Sequence, residues 1–324
     1  QAIFVDTDIL TDVDDVGALA IANVLHNCGL ADLQGVAVNT HSRYGALAVS
    51  AINTYFGNSD VPVAAIRPLT EDTFFDRMTY RCGEYASRVA YNWPRALNES
   101  FSTPTPVELY RSVLASGGNN SLNMISVGFL TNIADLLRSP ADGISSLTGL
   151  ELINAKVKEL IVMGGRYPSG WEYNFGGVDP ASTRYVLEHW PVDVPLTFSG
   201  WELGVAICSG QNLRTHSPPN SPVFAAYEWY IGRCQTVWES WDPVTVLYGI
   251  LGMDGFEQLG LTSPFAYANE GGYNAIVDDK GANAWVNDQT VTNQHWLKLA
   301  YGVNNWTVAE ILNRFLTYDP KQQE

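Results

Sequence analysis

The sequence predicts an α/β fold, a mostly parallel sheet with helices on both faces. Two observations predict it. Short apolar, partly β-branched runs alternate with stretches of helical spacing along much of the 324 residues, which is the βαβ order of a parallel sheet covered on both sides. The segments that follow those runs are polar or glycine-rich, as expected where strands of such a sheet end at a ligand crevice. The chain can bury a large core, and it carries no internal repeat, low-complexity tract or convincing linker. One domain over residues 1–324 is therefore expected.

In order, Ile3-Phe4-Val5 is a strand that runs into Asp6 and Asp8, and Val16 to Leu25 reads as a helix buried on one face. Leu33 to Val38 is the next strand, Ala46 to Phe56 a helix, and Val61 to Ala65 extended. From Arg67 to Pro106 the regularity gives way to a segment rich in aromatics and arginine, from Phe74, Phe75 and Arg77 to Trp93, which reads as a lid. Alternation resumes with a helix over Pro106 to Ala115, a strand at Leu122 to Val127, a helix over Thr131 to Leu137 and a strand at Leu160 to Met163. A helix opens at Asp179-Pro180, where Asp caps and Pro fits the first turn. Val194 to Ser199 is a strand; Phe224 to Ile231, Pro243 to Leu251 and the amphipathic tail Trp306 to Leu316 are helices.

The densest chemistry lies at the start, where Asp6, Asp8, Asp12, Asp14 and Asp15 crowd behind the first strand. Like charges that close repel one another in a folded site unless a cation holds them or water screens them. Carboxylate oxygens suit a hard divalent ion, and Ca²⁺ tolerates irregular geometry better than Mg²⁺. The plainer reading is a solvated acidic turn with Asp14 and Asp15 favourably placed at a helix N-terminus. An EF-hand is not matched: a strand precedes the loop, and counting from Asp6 puts Gly17 where the bidentate Glu belongs.

Eighteen Lys and Arg against 34 Asp and Glu give a net charge of −16, which argues against nucleic acid or an anionic membrane as partner and favours a small neutral or cationic ligand. No apolar run is long enough to span a bilayer. The chain begins at Gln1, one residue before a strand, an opening that matches a mature protein after signal-peptide removal and equally a trimmed chain. The sequons at Asn98, Asn119 and Asn305 and an even set of cysteines (Cys28, Cys82, Cys208, Cys234) favour a secreted glycoprotein with two disulfides over reduced cytosolic thiols. Their spacing does not suit zinc.

Four segments taken together carry a family pattern: Asp6-Thr7-Asp8 with Asp14-Asp15; Val127 to Ala134; Val162-Met163-Gly164-Gly165 with Glu172-Tyr173-Asn174 and Asp179-Pro180 behind it; and Trp241-Asp242-Pro243. In this order they resemble the inosine-uridine-preferring nucleoside hydrolase family. The resemblance implies a Rossmann-like open sheet and a single Ca²⁺ at the bottom of a cleft, held by Asp8, Asp15, the Thr131 carbonyl and Asp242, with Asp6 as a supporting carboxylate. It implies that the metal also binds the ribose 2′- and 3′-hydroxyls and the attacking water, with Asp8 as general base on that water. Asp14, Glu172 and Asn174 would hold the sugar, with Met163 packed against its ring. For Met163 the alternative is plain strand core; for Glu172 and Asn174, loop surface; for Thr131, an N-cap.

Departures from the pattern bear on detail. The acidic motif is longer than the family's shortest form and adds Asp12, as a further supporting group or a solvated one. The sugar-contacting Asn after the second strand is matched by Asn39, with Ser42 as the alternative. Many members place His before the metal-binding Asp, whereas this chain has Trp241, which resembles the purine-preferring branch. Stacking on an indole favours a purine as it gains a proton at N7; the alternative is that Trp241, like Trp238, packs the core. A second aromatic wall is expected from the Phe74 to Trp93 lid. His41 lies near the expected cleft, but no histidine has a Ser or Cys partner at an interpretable spacing, and no phosphate-binding glycine motif occurs.

The expectation is a secreted Ca²⁺-dependent hydrolase of purine ribonucleosides, its partner a small nucleoside, with a homo-oligomer suggested by the resemblance. The rival enzyme is a pyrimidine or nicotinamide riboside hydrolase with the same metal site. The rival of another class is a Ca²⁺-dependent nucleoside- or sugar-binding protein without turnover, against which an intact Asp8 argues.

Overall fold

A computed structural model of the chain describes residues 1–74 and 82–323; Phe75, Arg77, Tyr80 and Arg81 of the expected lid lie outside the described residues. The first strands are β1 (Ala2–Thr7), β2 (Asp32–Val38), β3 (Val63–Ala65), β4 (Leu122–Ser126) and β5 (Val157–Met163). They join Leu196–Ser199, Gln294–Leu299 and Phe265–Tyr267 in an eight-stranded sheet. From one edge the order is Phe265–Tyr267, Gln294–Leu299, Leu196–Ser199, β5, β4, β1, β2, β3. Every pairing is parallel except that of the Phe265–Tyr267 edge strand with Gln294–Leu299.

This order sets the site. The chain builds outward from β1 through β2 to β3, then returns to lay β4 on the other side of β1 and builds toward β5. A crevice opens where two such halves diverge. The carboxyl ends of β1 and β4, which lead into Asp8 and Val127, flank it.

Side chains alternate across the strands and feed two apolar layers. Ile3 and Val5 pack on one face with α1 (Asp14–Asn27), α2 (Arg43–Tyr55) and the helices Pro222–Ile231, Trp241–Leu251 and Asn305–Leu316. Phe4 packs on the other with Pro106–Ser116, Thr131–Arg138, Gly149–Lys156 and Pro180–His189. Asp179 caps the last of these by accepting from the Ser182 amide at 3.1 Å, with Pro180 in the first turn, as its sequence predicts.

Several expectations change. α1 begins at Asp14, so Asp14 and Asp15 form its first turn, and α1 is buried almost all round because Trp241–Leu251, Asn305–Leu316, α2 and Pro222–Ile231 enclose it beside β2. The N-cap of Thr131–Arg138 is Leu130, so Thr131 is not itself a cap. The helix Gly149–Lys156 and the short antiparallel strands Tyr273–Ile276 and Asn283–Val286 were not expected. The two disulfides are not formed: Cys28 and Cys234 are exposed free thiols and Cys208 is a partly buried one, so four cysteines cannot make two bridges. No helix among the described residues is long and apolar enough to cross a membrane.

Candidate active site

The acidic loop is positioned from beneath. Asp6, the last inward side chain of β1, is fully buried and accepts from the Tyr110 hydroxyl at 2.7 Å, from Asn132 at 3.0 Å and from Asn39 at 2.5 Å. Burial still pushes its carboxyl up to about 7, against the pull of those donors. Asn39 gives its second amide proton to the Phe129 carbonyl, so its nitrogen serves the loops behind the cleft, while its Oδ1 has no protein partner. Ser42 caps α2 by accepting from the Tyr44 amide.

Above Asp6 the carboxylates converge. Asp8, Asp15 and Asp242 bring oxygens within 4.8 Å of one another, and so do Asp12, Asp14 and Asp15. The convergence arises because α1 packs on Trp241–Leu251 and the two N-termini meet: the Asp242 amide donates to Asp14 Oδ2 at 3.0 Å, joining residues 228 apart. Both first turns therefore present backbone dipoles to the carboxylates. Gly128, after β4, lies against Asp8 so closely that a Cβ there would stand 2.7 Å from the Asp8 backbone nitrogen. Any larger residue would push the β4 loop away from Asp8.

The donor set suits a divalent cation. Burial, then mutual repulsion, pushes the carboxyls of Asp8, Asp14, Asp15 and Asp242 well above their ordinary range. No ion pair among the described residues reaches any of them. Thr7 donates to one oxygen of Asp15, and the other is buried without a partner. A hard cation would satisfy that oxygen and return the cluster to its ionised form.

The cluster floors a cleft of about 710 Å³, the size of a small-ligand site. Met163 lines it at the end of β5. Asn174 is held beside it by bonds from Nδ2 to the Val127 carbonyl (3.2 Å) and to the Met163 carbonyl (3.3 Å) and Sδ (3.1 Å). Glu172 lines the same wall and caps Tyr173–Gly176, accepting from the amides of Asn174 (2.7 Å), Phe175 (3.2 Å) and Gly165 (3.0 Å). Burial outweighs these donors and raises its carboxyl to about 7.

The opposite wall is aromatic. Trp241 opens its helix and is locked by a bond from Nε1 to the Trp201 carbonyl at 2.9 Å and by contact with Gly204. Trp201, Tyr230, Trp238 and Tyr173 complete the lining. Trp238, expected in the core, packs against it and also lines the cleft, perpendicular to Tyr230 at 5.1 Å between centroids. The second aromatic wall thus comes, among the described residues, from the 201–241 region; Tyr85, Tyr91 and Trp93 do not line the cleft, and Phe74 lines a separate cavity with His41 and Ser42. Thr11, Tyr173, Trp201 and Tyr230 were missed. Thr11 and Tyr173 lay inside the quoted motifs and Trp201 followed Ser199-Gly200 at a strand's carboxyl end; Tyr230 reads as an ordinary helix-core residue.

The class is now defined: an open, mostly parallel α/β sheet with a small-molecule cleft at its switch point, acidic on its floor and aromatic on one side. The model of the family "inosine-uridine preferring nucleoside hydrolase" matches residues 3–297, and the chain belongs to that family. It is a nucleoside hydrolase, and its reaction is hydrolysis of the N-glycosidic bond of ribonucleosides. No curated protein matches the sequence significantly. Solved structures share the fold. A purine-preferring ribonucleoside hydrolase from Gardnerella vaginalis superposes with a TM-score of 0.68 at 16% identity, covering 99% of this chain and 100% of that one. An inosine-uridine preferring nucleoside hydrolase from Bacillus anthracis gives 0.61 at 17%, covering 98% and 99%. The type III effector protein XopQ, complexed with adenosine diphosphate ribose, gives 0.62 at 16%, covering 98% and 91%.

Proposed function

We propose that the protein cleaves purine ribonucleosides to ribose and free base with Ca²⁺ held by Asp8, Asp15, the Thr131 carbonyl and Asp242. The observation that carries this reading is that Trp241, one residue before a carboxylate of the cluster, forms an aromatic wall of the same cleft that the cluster lines. The sugar and base of a nucleoside are joined at a comparable junction.

In this reading Asp14, Glu172 and Asn174 hold the ribose hydroxyls, and Met163 packs on the sugar. Asn39 offers only Oδ1 to a ligand. A cation at the carboxylate cluster supplies Lewis acidity toward water and the ribose diol. Asp8 takes the proton from the attacking water as the C1′–N bond breaks, and the nearby carboxylates stabilise the positive charge that develops on the ring. Trp241 stacks on the purine as its N7 takes a proton from solvent water. The exposed sequon asparagines Asn98, Asn119 and Asn305 are compatible with a secreted role in nucleoside salvage, and association into a homo-oligomer is part of the same proposal.

The test is release of base and reducing sugar from inosine, adenosine, guanosine, uridine and cytidine, before and after prolonged chelation. Purine-selective release that stops on chelation and returns with Ca²⁺ supports the reading. Restoration only by another ion overturns the Ca²⁺ assignment, and faster release from uridine or cytidine overturns the purine assignment. Binding of nucleosides without cleavage would make the protein a binder.

A further inference from the structure

Asp12 is the acidic-loop carboxylate that faces the aromatic side of the cleft. It lines the cavity together with Trp201, Tyr230, Trp238 and Trp241. Its Oδ2 accepts from the Trp238 indole at 3.3 Å and its Oδ1 from the Thr11 hydroxyl at 3.2 Å, while its carbonyl accepts from the buried Tyr85 hydroxyl at 2.5 Å. A carboxylate fixed among indole and phenol rings is a chemical match for a flat, delocalised cation, which gains from the charge and from the ring faces together. Among the described lining residues there is no His, Lys or Arg, hence no cationic side chain to oppose such a ligand or to protonate a leaving base.

We propose that Asp12 makes this cleft selective for nucleosides whose base already carries positive charge, such as N7-alkylated purines and N-ribosylated pyridiniums; this rests on the hydrolase reading above. In such a substrate the water oxygen bonds to C1′, the water proton passes to Asp8, and both electrons of the C1′–N bond go to the ring nitrogen. The base leaves neutral, and no proton has to reach it.

The experiment compares kcat/KM for 7-methylguanosine and guanosine, which differ by the N7 methyl group and its charge, in the Ca²⁺-loaded wild type, Asp12→Asn and Asp12→Glu. The ratio of the two constants is expected to fall about tenfold in Asp12→Asn and to recover in part in Asp12→Glu. A ratio that does not change overturns the proposal, whether both rates fall together or neither does. A Ca²⁺ titration that weakens in Asp12→Asn while the ratio holds assigns Asp12 to the metal cluster instead. A wild type that cleaves neither nucleoside overturns the hydrolase reading; one that cleaves both but whose ratio ignores Asp12 overturns only this inference.

Discussion

Tyr85 accepts the amide proton of Leu10 at 3.0 Å, and Leu10 has a φ of +127°, a region that bulky residues rarely enter. The same phenol donates to the Asp12 carbonyl at 2.5 Å and packs edge-on against Tyr230. One buried hydroxyl thus holds the acidic loop at two points and ties it to the aromatic wall. Tyr85→Phe keeps the ring and deletes both bonds. It should lower stability by about 1–3 kcal/mol and weaken metal binding, read by urea unfolding and Ca²⁺ titration. Unchanged values in both would show that the loop holds its shape without the phenol.

In the proposed mechanism Asp8 combines two tasks, metal ligand and base, and removing its negative charge separates them from folding. Asp8→Asn should lose about 10²–10⁴ in kcat with an unaltered circular dichroism spectrum. Full turnover in the variant would take Asp8 out of the mechanism.

Trp241 is locked by Trp201 and Gly204, so in the proposed reading its ring meets a base without further ordering. Trp241→Ala should reduce kcat/KM for inosine about 10–100-fold and that for uridine much less, whereas Trp241→Phe should keep most of the difference between the two. Equal losses on both nucleosides would make the residue structural.

Glu172 is expected to leave a mark on the pH dependence of stability. Its carboxyl titrates near 7 in the folded state and in its ordinary range, a little above 4, when unfolded. Between those values the folded state holds a proton that the unfolded state has released, so stability falls as pH rises through this window and levels off above 7. Glu172→Gln removes that slope. Measured without metal, the stability of the variant relative to wild type should rise by about 3 kcal/mol from pH 4.5 to 7. A flat difference would show that the three amides donating to Glu172 hold it ionised throughout.

The elements that could be read from the sequence were those whose apolar pattern is long and local, such as β2 and the helix Pro106–Ser116. Tyr273–Ile276 and Asn283–Val286 escaped because each is only four residues, one of them an asparagine, and their pairing partners are what make them strands. Two disulfides were a sound inference from an even number of cysteines, but counting cysteines says nothing about the distances between them.

By itself the sequence determined the alternating α/β order, the carboxylates behind β1 and the family pattern, because each is written in neighbouring residues. The tertiary structure decided which of those groups share a site. Asp242 reaches Asp14 across 228 positions only because two buried helices pack side by side with their N-termini together. Trp238 and Tyr230 belong to the core layer and also line the cleft, Trp238 through its bond to Asp12, 226 positions away. Convergence of that kind is set by packing between distant elements, which no local pattern encodes.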